Sequence, residues 1–463
     1  MEKKQGFKFP HAWIVLFTIA LIAAGLTYIL PAGEYERKFD EVVKRTLVVP
    51  NSYQVVERTP IKPFDFFVAV QRGMIDAADI IFFIFIVFSA FYIVMKTGAL
   101  VGFLGMLVRK LEGKEVMMIP VFMTIFAIGG ATFGMFEETY GLIPMFIGLA
   151  MAVGYDAIVG MAMISLGVGI GFAAAPMNPF TVGVAHKIAE LEMFSGLEYR
   201  TIWLVIFLLV SIWWTVRYAQ KVKKDPSSSY VADVDFGILK VDKKDLFNTP
   251  FTLKSKLIML LVGVTIVLIV YGVLAYGWYI NELAGLFLIM GILAGIIGGF
   301  GANKLAETFV EGCQQVAFGA LVVGIARTIL IVMRDGKIID TVINALATPL
   351  EGLPVYVSAV GMVIVQTLID FFIPSGSGQA MAVMPIMVPL SDLIGVSRQV
   401  AVMAYQFGDG FTNLLWPTAG IVVMCGIAKI PLDKWWKFYV PLFLLLMLLQ
   451  FVAVIVGVAI GWQ

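Results

Sequence analysis

Charge is scarce in this chain. Asp, Glu, Lys and Arg make up 14% of its 463 residues, against about 25% in soluble domains. A net charge of +1 provides no basic surface for nucleic acid, so no nucleic-acid partner is expected. The two cysteines, Cys313 and Cys425, both fall in apolar sequence and are read as packing residues, not as a disulfide or a metal site. Two histidines, His11 and His186, are too few for a histidine-built metal centre. What is present is apolar: 60% hydrophobic residues, with a mean hydropathy of +0.93. Residues 12–30, 80–95, 202–216, 257–274 and 440–460 reach or approach the roughly 20 apolar residues that span a bilayer. The chain therefore reads as one all-α polytopic membrane domain, in contact with lipid throughout. Met1–Trp13 contains lysines, but the apolar run behind it is long and has no small-residue cleavage pattern, so a retained first helix is expected.

A repeat runs through the sequence. Ile93-Val-Met-Lys-Thr-Gly98 recurs as Ile331-Val-Met-Arg-Asp-Gly336, an offset of 238. Leu111-Glu112-Gly113 recurs as Leu350-Glu351-Gly352, and Pro144 and Gly154 recur as Pro385 and Gly395. A near-constant offset points to an ancient duplication. Duplicated units that face opposite ways are a common transporter architecture, with substrate held near the bilayer midplane.

The expected organisation follows. Residues 1–63 hold a first transmembrane helix and an external polar loop. Residues 64–216 form the first inverted repeat, opening with an amphipathic interfacial stretch at 64–78. Residues 217–256 are a cytoplasmic linker and 257–301 two scaffold spans. The second repeat occupies 302–428, with an interfacial stretch at 305–315 and a span at 316–333, and a last helix fills 429–463. Each repeat contains a re-entrant hairpin (116–153, whose arms look shorter than a span, and 355–394) and a broken helix. In total there are nine crossings and two hairpins. The excess of Lys and Arg puts the amino terminus on the cytoplasmic side and the carboxyl terminus outside.

Four places interrupt apolar helices with glycine, proline or polar residues: 134–139, 176–181, 374–379 and 408–413. Hydrocarbon cannot satisfy freed backbone N–H and C=O groups, so such breaks survive only inside protein or against a wet cavity. A single break is more often a kink or packing notch. Two per repeat, at matched positions, suggest a central binding site. The candidate site residues are Glu137, Glu138, Thr139, Asn178, Thr181, Ser375, Ser377, Gln379, Asp409, Thr412, Asn413 and Thr418, with Asp370 just before the third break. A carboxylate at the bilayer centre costs at least about 2.5–3.5 kcal/mol, which argues for a functional or paired role. Arg327 or Arg398 could neutralise one of these acids, and an exposed 137–139 tip would make its glutamates ordinary surface residues. The breaks contain acids and neutral hydrogen-bonding groups but no Lys or Arg. That composition suits an ammonium, a guanidinium, Na+ or H+, and a zwitterionic basic amino acid best of all. No metal centre or organic cofactor is expected; a coupling Na+ or H+ at Glu137, Asp409 and Asn178 is the alternative use of these groups.

Several motifs then resemble the YfcC-type family of basic amino-acid antiporters, relatives of the anaerobic C4-dicarboxylate carriers in the ion-transporter superfamily. They are Phe9-Pro-His-Ala-Trp13 leading to Ile29-Leu-Pro-Ala-Gly-Glu-Tyr35, Gly134-Met-Phe-Glu-Glu-Thr139, Asn178-Pro-Phe-Thr181, Pro374-Ser-Gly-Ser-Gly-Gln379, and Gly408-Asp-Gly-Phe-Thr-Asn413 with Pro417-Thr418. The resemblance covers nearly the whole chain. It implies a secondary carrier of the elevator type, with transport parts at 114–191 and 353–428, a homodimer, a bacterial inner membrane, and arginine/ornithine exchange or related amino-acid transport. Where the wider superfamily has Ser-Asn-Thr-like hairpin tips, this chain has Glu137-Glu138-Thr139, which argues against a dicarboxylate. A Na+- or H+-coupled dicarboxylate carrier remains the alternative within transporters. An ion channel could use similar acidic, broken helices. A serine hydrolase at Ser375 or Ser377 lacks an evident histidine partner, and no enzyme is expected.

Overall fold

Helices dominate because apolar segments must satisfy their own backbone groups in hydrocarbon. The computed structural model describes residues 10–41, 44–110, 113–237 and 249–463, with 18 α-helices among them. The first half comprises α1 (Ala12–Leu26), α2 (Pro63–Asp76), α3 (Ala78–Lys96), α4 (Ala99–Lys110), α5 (Met118–Thr132), α6 (Ile143–Ala152), α7 (Ala157–Ala173), α8 (Val182–Ile188) and α9 (Leu197–Lys224). Two helices, α10 (Leu253–Tyr276) and α11 (Ile280–Ile297), connect the halves. The second half comprises α12 (Ala302–Asp335), α13 (Ile339–Ala347), α14 (Val355–Asp370), α15 (Gly376–Ile394), α16 (Arg398–Thr412), α17 (Gly420–Ala428) and α18 (Leu432–Ala459).

Eight helices among the described residues are long and apolar enough to cross a membrane, and the chain is an integral membrane protein. They are α3, the 115–132 segment ending in α5, α9, α10, α11, α12, α15 and α18. α1, α7 and α14 are apolar but shorter. Two of the eight, 115–132 and α15, are arms of the expected hairpins. The arms are thus not all too short to span, and length alone does not make them re-entrant.

The two halves pass through the same order of elements. α7 and α16 both start after a left-handed glycine, Gly154 (φ +89°) and Gly395 (φ +76°), a conformation that glycine adopts without a Cβ clash. Two residues later each has a side-chain cap: Asp156 Oδ1 accepts from Val159 N at 3.0 Å, and Ser397 Oγ from Val400 N at 3.3 Å. The Leu111-Glu112 part of the sequence repeat lies outside the described residues, as do residues 1–9 and 238–248 of the expected terminus and linker.

The halves differ in one long element. The first breaks at Ala77 between α2 and α3, whereas α12 runs unbroken for 34 residues, roughly 51 Å at 1.5 Å per residue. The expected interfacial stretch 305–315 and span 316–333 are therefore a single helix. Its glycines serve close packing: Gly312 abuts Ser89 of α3, and Gly324 abuts Met74 of α2. Around α12 gather α1, α2, α3 and, through α3, α11, with α10 and α4 outside them. A second group packs α5 on α7, α14 on α16, α9 on α5 and α7, and α18 on α14 and α16. Gly130, Gly167 and Gly171 bring the α5 and α7 backbones together.

Within the expected polar loop, residues 33–41 and 44–62 include short strands, so the fold is mostly helical and not purely so. β1 (Gly33–Glu34) pairs with β4 (Gln54–Val55), and β2 (Arg37–Asp40) with β3 (Arg45–Val48), both antiparallel. Polar sequence outside the lipid can meet its backbone demand between strands. Asp340 anchors this cap: it accepts from Tyr35 N at 2.9 Å and pairs with Arg37 at 2.8 Å. Burial first, and the Asp340 charge second, push the Tyr35 phenol up to about 12. Tyr35 therefore stays a donor, to Asn344 Oδ1 at 2.9 Å.

The Asp156 carboxylate also accepts from Tyr218 Oη and Ser229 Oγ, both at 2.6 Å. Asp156→Ala is expected to cost about 2 kcal/mol of stability and Ser397→Ala about 1 kcal/mol. Unfolding of the detergent-purified variants measures both, and an Asp156→Ala curve that overlays the wild type would contradict the capping role.

Candidate functional site

The four interruptions come together around one cavity. In the structure they occupy 133–142, 174–181, 371–375 and 413–419, each between consecutive helices. A cavity of about 160 Å³ is lined by Gly134, Glu137 and Glu138 of the first, Phe180 of the second, Pro374 and Ser375 of the third, and Asn413, Thr418 and Ala419 of the fourth. Ser377 at the start of α15 and Gly420 at the start of α17 complete these walls. The opposite wall comes from α3, α11 and α12, including Ile80, Tyr279 and Arg327. Small-molecule clefts typically measure about 300–1,000 Å³, so an amino-acid-sized ligand requires a wall to give.

Of the residues expected at a site, Glu137, Glu138, Ser375, Ser377, Asn413 and Thr418 line this cavity. Thr139, Asn178, Thr181, Gln379, Asp409 and Thr412 are buried behind it. The last break differs from expectation. α16 continues to Thr412, so Gly408, Asp409 and Gly410 are helical and the chain leaves the helix at Asn413. Gly-Asp-Gly looks like turn sequence, but here its glycines let helices cross closely. Gly410 abuts Ala173 of α7, and Gly408 abuts Gln366 and Thr367 of α14.

Local hydrogen bonds hold each opened segment. Glu138 Oε2 accepts from Phe136 N at 2.9 Å, and Thr139 Oγ1 donates to Phe136 O at 2.6 Å. Asn178 Oδ1 accepts from Phe180 N at 2.9 Å and Thr181 N at 3.3 Å. Tyr405 Oη donates to Gly376 O at 2.5 Å. Trp435 and Trp436 donate their indole N–H groups to Leu414 O and Leu415 O.

One group that sequence reading missed organises the second break. Arg200, 2% exposed near the start of α9, donates to Gln406 Oε1 at 2.8 Å and Gln399 Oε1 at 3.2 Å. Gln406 Nε2 in turn donates to Phe172 O and Ala175 O, both at 3.1 Å, the carbonyls freed where α7 ends. The available signal was an arginine at the start of a long apolar helix. His186 Nε2 lies 3.5 Å from Arg200, so this histidine belongs to the network and to no serine.

Neither proposed counter-ion neutralises the break acids. Arg327 pairs with Asp76 at 3.0 Å, and Arg398 pairs with Asp392 and Glu190. Arg327 nevertheless lines the cavity, so the site contains a cation that the breaks themselves lack. Among the described residues no group of three His, Cys, Asp or Glu side chains could hold a metal ion.

A polytopic helical membrane protein whose interrupted helices meet at one cavity has an architecture common among transporters. The chain matches the model of the C4-dicarboxylate anaerobic carrier family, DcuC, over residues 9–459, and it belongs to that family of transporters. It is 32% identical to the Escherichia coli (strain K12) protein named "Putative basic amino acid antiporter YfcC", over 98% of this chain and 97% of that one. It is 30% identical to an uncharacterised Haemophilus influenzae protein over 99% of both chains. Among solved structures, the Alcanivorax borkumensis YdaH transporter aligns with 98% of this chain and 99% of its own, at 16% identity and a TM-score of 0.44.

Gly134 (φ +74°) faces Asn178: a Cβ there would stand 2.7 Å from Asn178 Oδ1 and 2.6 Å from Phe180 Cδ2. Gly134→Ala is expected to cost about 1–2 kcal/mol through its left-handed backbone alone and to push the first two breaks apart. The melting temperature of the purified variant should fall, and any ligand-induced rise in it should shrink. A variant that melts and responds like wild type would deny this contact its role.

Proposed function

We propose that this carrier exchanges basic amino acids, of the arginine/ornithine type, by an elevator movement. The observation that carries the reading is the charge layout of the cavity. Glu137 and Glu138 stand on one wall and Arg327 on another. A basic amino acid is a zwitterion with an additional cation: its side-chain charge suits the two glutamates and its α-carboxylate suits Arg327. A dicarboxylate would set two negative charges in a site that already holds two acids. The family description supports that second reading, with Arg327 as the anion-binding group and the acids holding a coupling ion.

In the proposed cycle the two halves are inverted copies, and the hairpins at 116–153 and 355–394 are re-entrant. The expected transport parts, 114–191 and 353–428, carry all four breaks. The packing of α9 and α18 on their helices supports moving these two helices with them. The group around α12 would be the scaffold, pair with a second copy, and sit in a bacterial inner membrane with the amino terminus inside. Uncompensated Glu137 and Glu138 would oppose movement of the empty site past apolar surface, and a bound cation would lower that barrier, giving exchange.

Proteoliposomes loaded with ornithine should take up labelled arginine by counterflow, which a channel would not show. Glu138→Gln should abolish that uptake while leaving expression intact, and Arg327→Gln should raise the KM at least about tenfold, the equivalent of about 1.4 kcal/mol. Counterflow of succinate in place of arginine would select the dicarboxylate reading, and full arginine uptake by Glu138→Gln would exclude the glutamate role.

A further inference from the structure

The structure contains a second acidic feature behind the cavity. Asp370 ends α14 and Asp409 lies in the last turn of α16, and both are wholly buried. The Thr412 hydroxyl lies within reach of both Asp370 Oδ2 and the Asp409 carbonyl, so the two acids are neighbours. Neither oxygen of Asp409 has a hydrogen-bond partner among the described residues, and neither does Asp370 Oδ1. Asp370 Oδ2 has one neighbour, Thr412 Oγ1 at 2.7 Å, and that hydroxyl also reaches Gly408 O. One hydroxyl hydrogen cannot serve both acceptors.

An independent observation comes from the second break. The Thr181 hydroxyl is wholly buried and lacks a partner among the described residues. Both Thr181 and Asp409 pack around Gly376: a Cβ there would lie 2.6 Å from Thr181 Cγ2 and 3.3 Å from Asp409 Oδ2. The titratable group facing the pair is Tyr405, whose hydroxyl donates to Gly376 O. α7 contains no titratable residue. α8 presents His186, bound to Arg200, while α15 presents Gln379, bound to Gln366. The pair has no ion pair with a Lys or Arg among the described residues.

Two neighbouring carboxyl groups, both buried and without an ion pair, cannot both be charged without a cation between them, and a proton is the smallest cation that serves. We propose that Asp370 and Asp409 form a proton-carrying acid pair, separate from the substrate cavity and gated by the 371–375 tip. The tip bears on the pair through Gly376, so displacing it changes the surroundings of Asp409. Each cycle would bind a proton when the pair opens to one side and release it to the other, with Glu137 and Glu138 left to the substrate. This rests on the reading of the chain as a carrier but not on which substrate it moves.

The test is infrared spectroscopy of the full-length protein in lipid nanodiscs, without transport substrate. At neutral pH the wild type should show the C=O band of a protonated carboxylic acid, lost reversibly as the pH is raised. That band should vanish in Asp409→Asn and in Asp370→Asn. Thr412→Val, which removes a hydrogen bond but no acid, should shift its frequency and so decides the matter if the asparagine variants fail to fold. A band untouched by all three variants, or one that persists at the most alkaline pH the fold withstands, would overturn the proposal. So would Na+-dependent thermal stabilisation of the wild type that both asparagine variants lose, since the pair would then be a Na+ site. Failure of arginine counterflow leaves this spectroscopic result intact, so the two readings fall separately.

Discussion

An interrupted helix in hydrocarbon must find partners for the backbone groups it frees, and this structure is organised around meeting that demand. Four interruptions free carbonyls and amides inside the fold, and each left unpaired in an apolar surrounding costs several kcal/mol. They are tolerable because they lie together and are bonded from neighbouring elements. Gln406, steadied by Arg200, serves the carbonyls at the end of α7. Trp435 and Trp436 serve those after α16, and Tyr405 serves Gly376.

This arrangement also explains how the protein can hold unpaired acids near its centre. The bonded segments form a polar pocket of fixed dipoles in place of water. Glu138 is held by Phe136 N, and Asn178 turns its oxygen inward to two amides. Arg327 comes from the other body of helices and reaches the same cavity while paired with Asp76. The cavity between the two groups of helices therefore holds side chains of both charge signs. A charged ligand can change how the groups attract one another, which is what a carrier needs if binding is to alter the barrier to movement.

Much of this was legible in the sequence because its signals are local. Glycine and proline runs mark where a helix cannot continue, and Gly154 and Gly395 make the left-handed turns ahead of α7 and α16. The side chains facing the cavity were less legible. Rotation about a helix axis decides direction, and a break resets that rotation by an amount set by turn geometry. Ser375 and Asn413 therefore face the cavity while Thr181 and Gln379 do not. Gly408-Asp-Gly410 misled because the same glycines suit a turn and a close helix crossing, and only a neighbouring backbone tells the two apart. The 33–55 strands escaped notice because their pairing depends on an anchor at Asp340, some 300 residues away.

Composition and pattern thus determined that this chain lives in a membrane and interrupts its apolar helices at four polar places. Those are consequences of hydropathy and backbone chemistry acting over a few residues. Only the tertiary structure decided that the four places share one cavity, that Arg327 belongs to it, and that Asp370 and Asp409 are buried as neighbours. Contacts of that kind join segments tens to hundreds of residues apart, and they exist only once helices have packed at particular distances and angles.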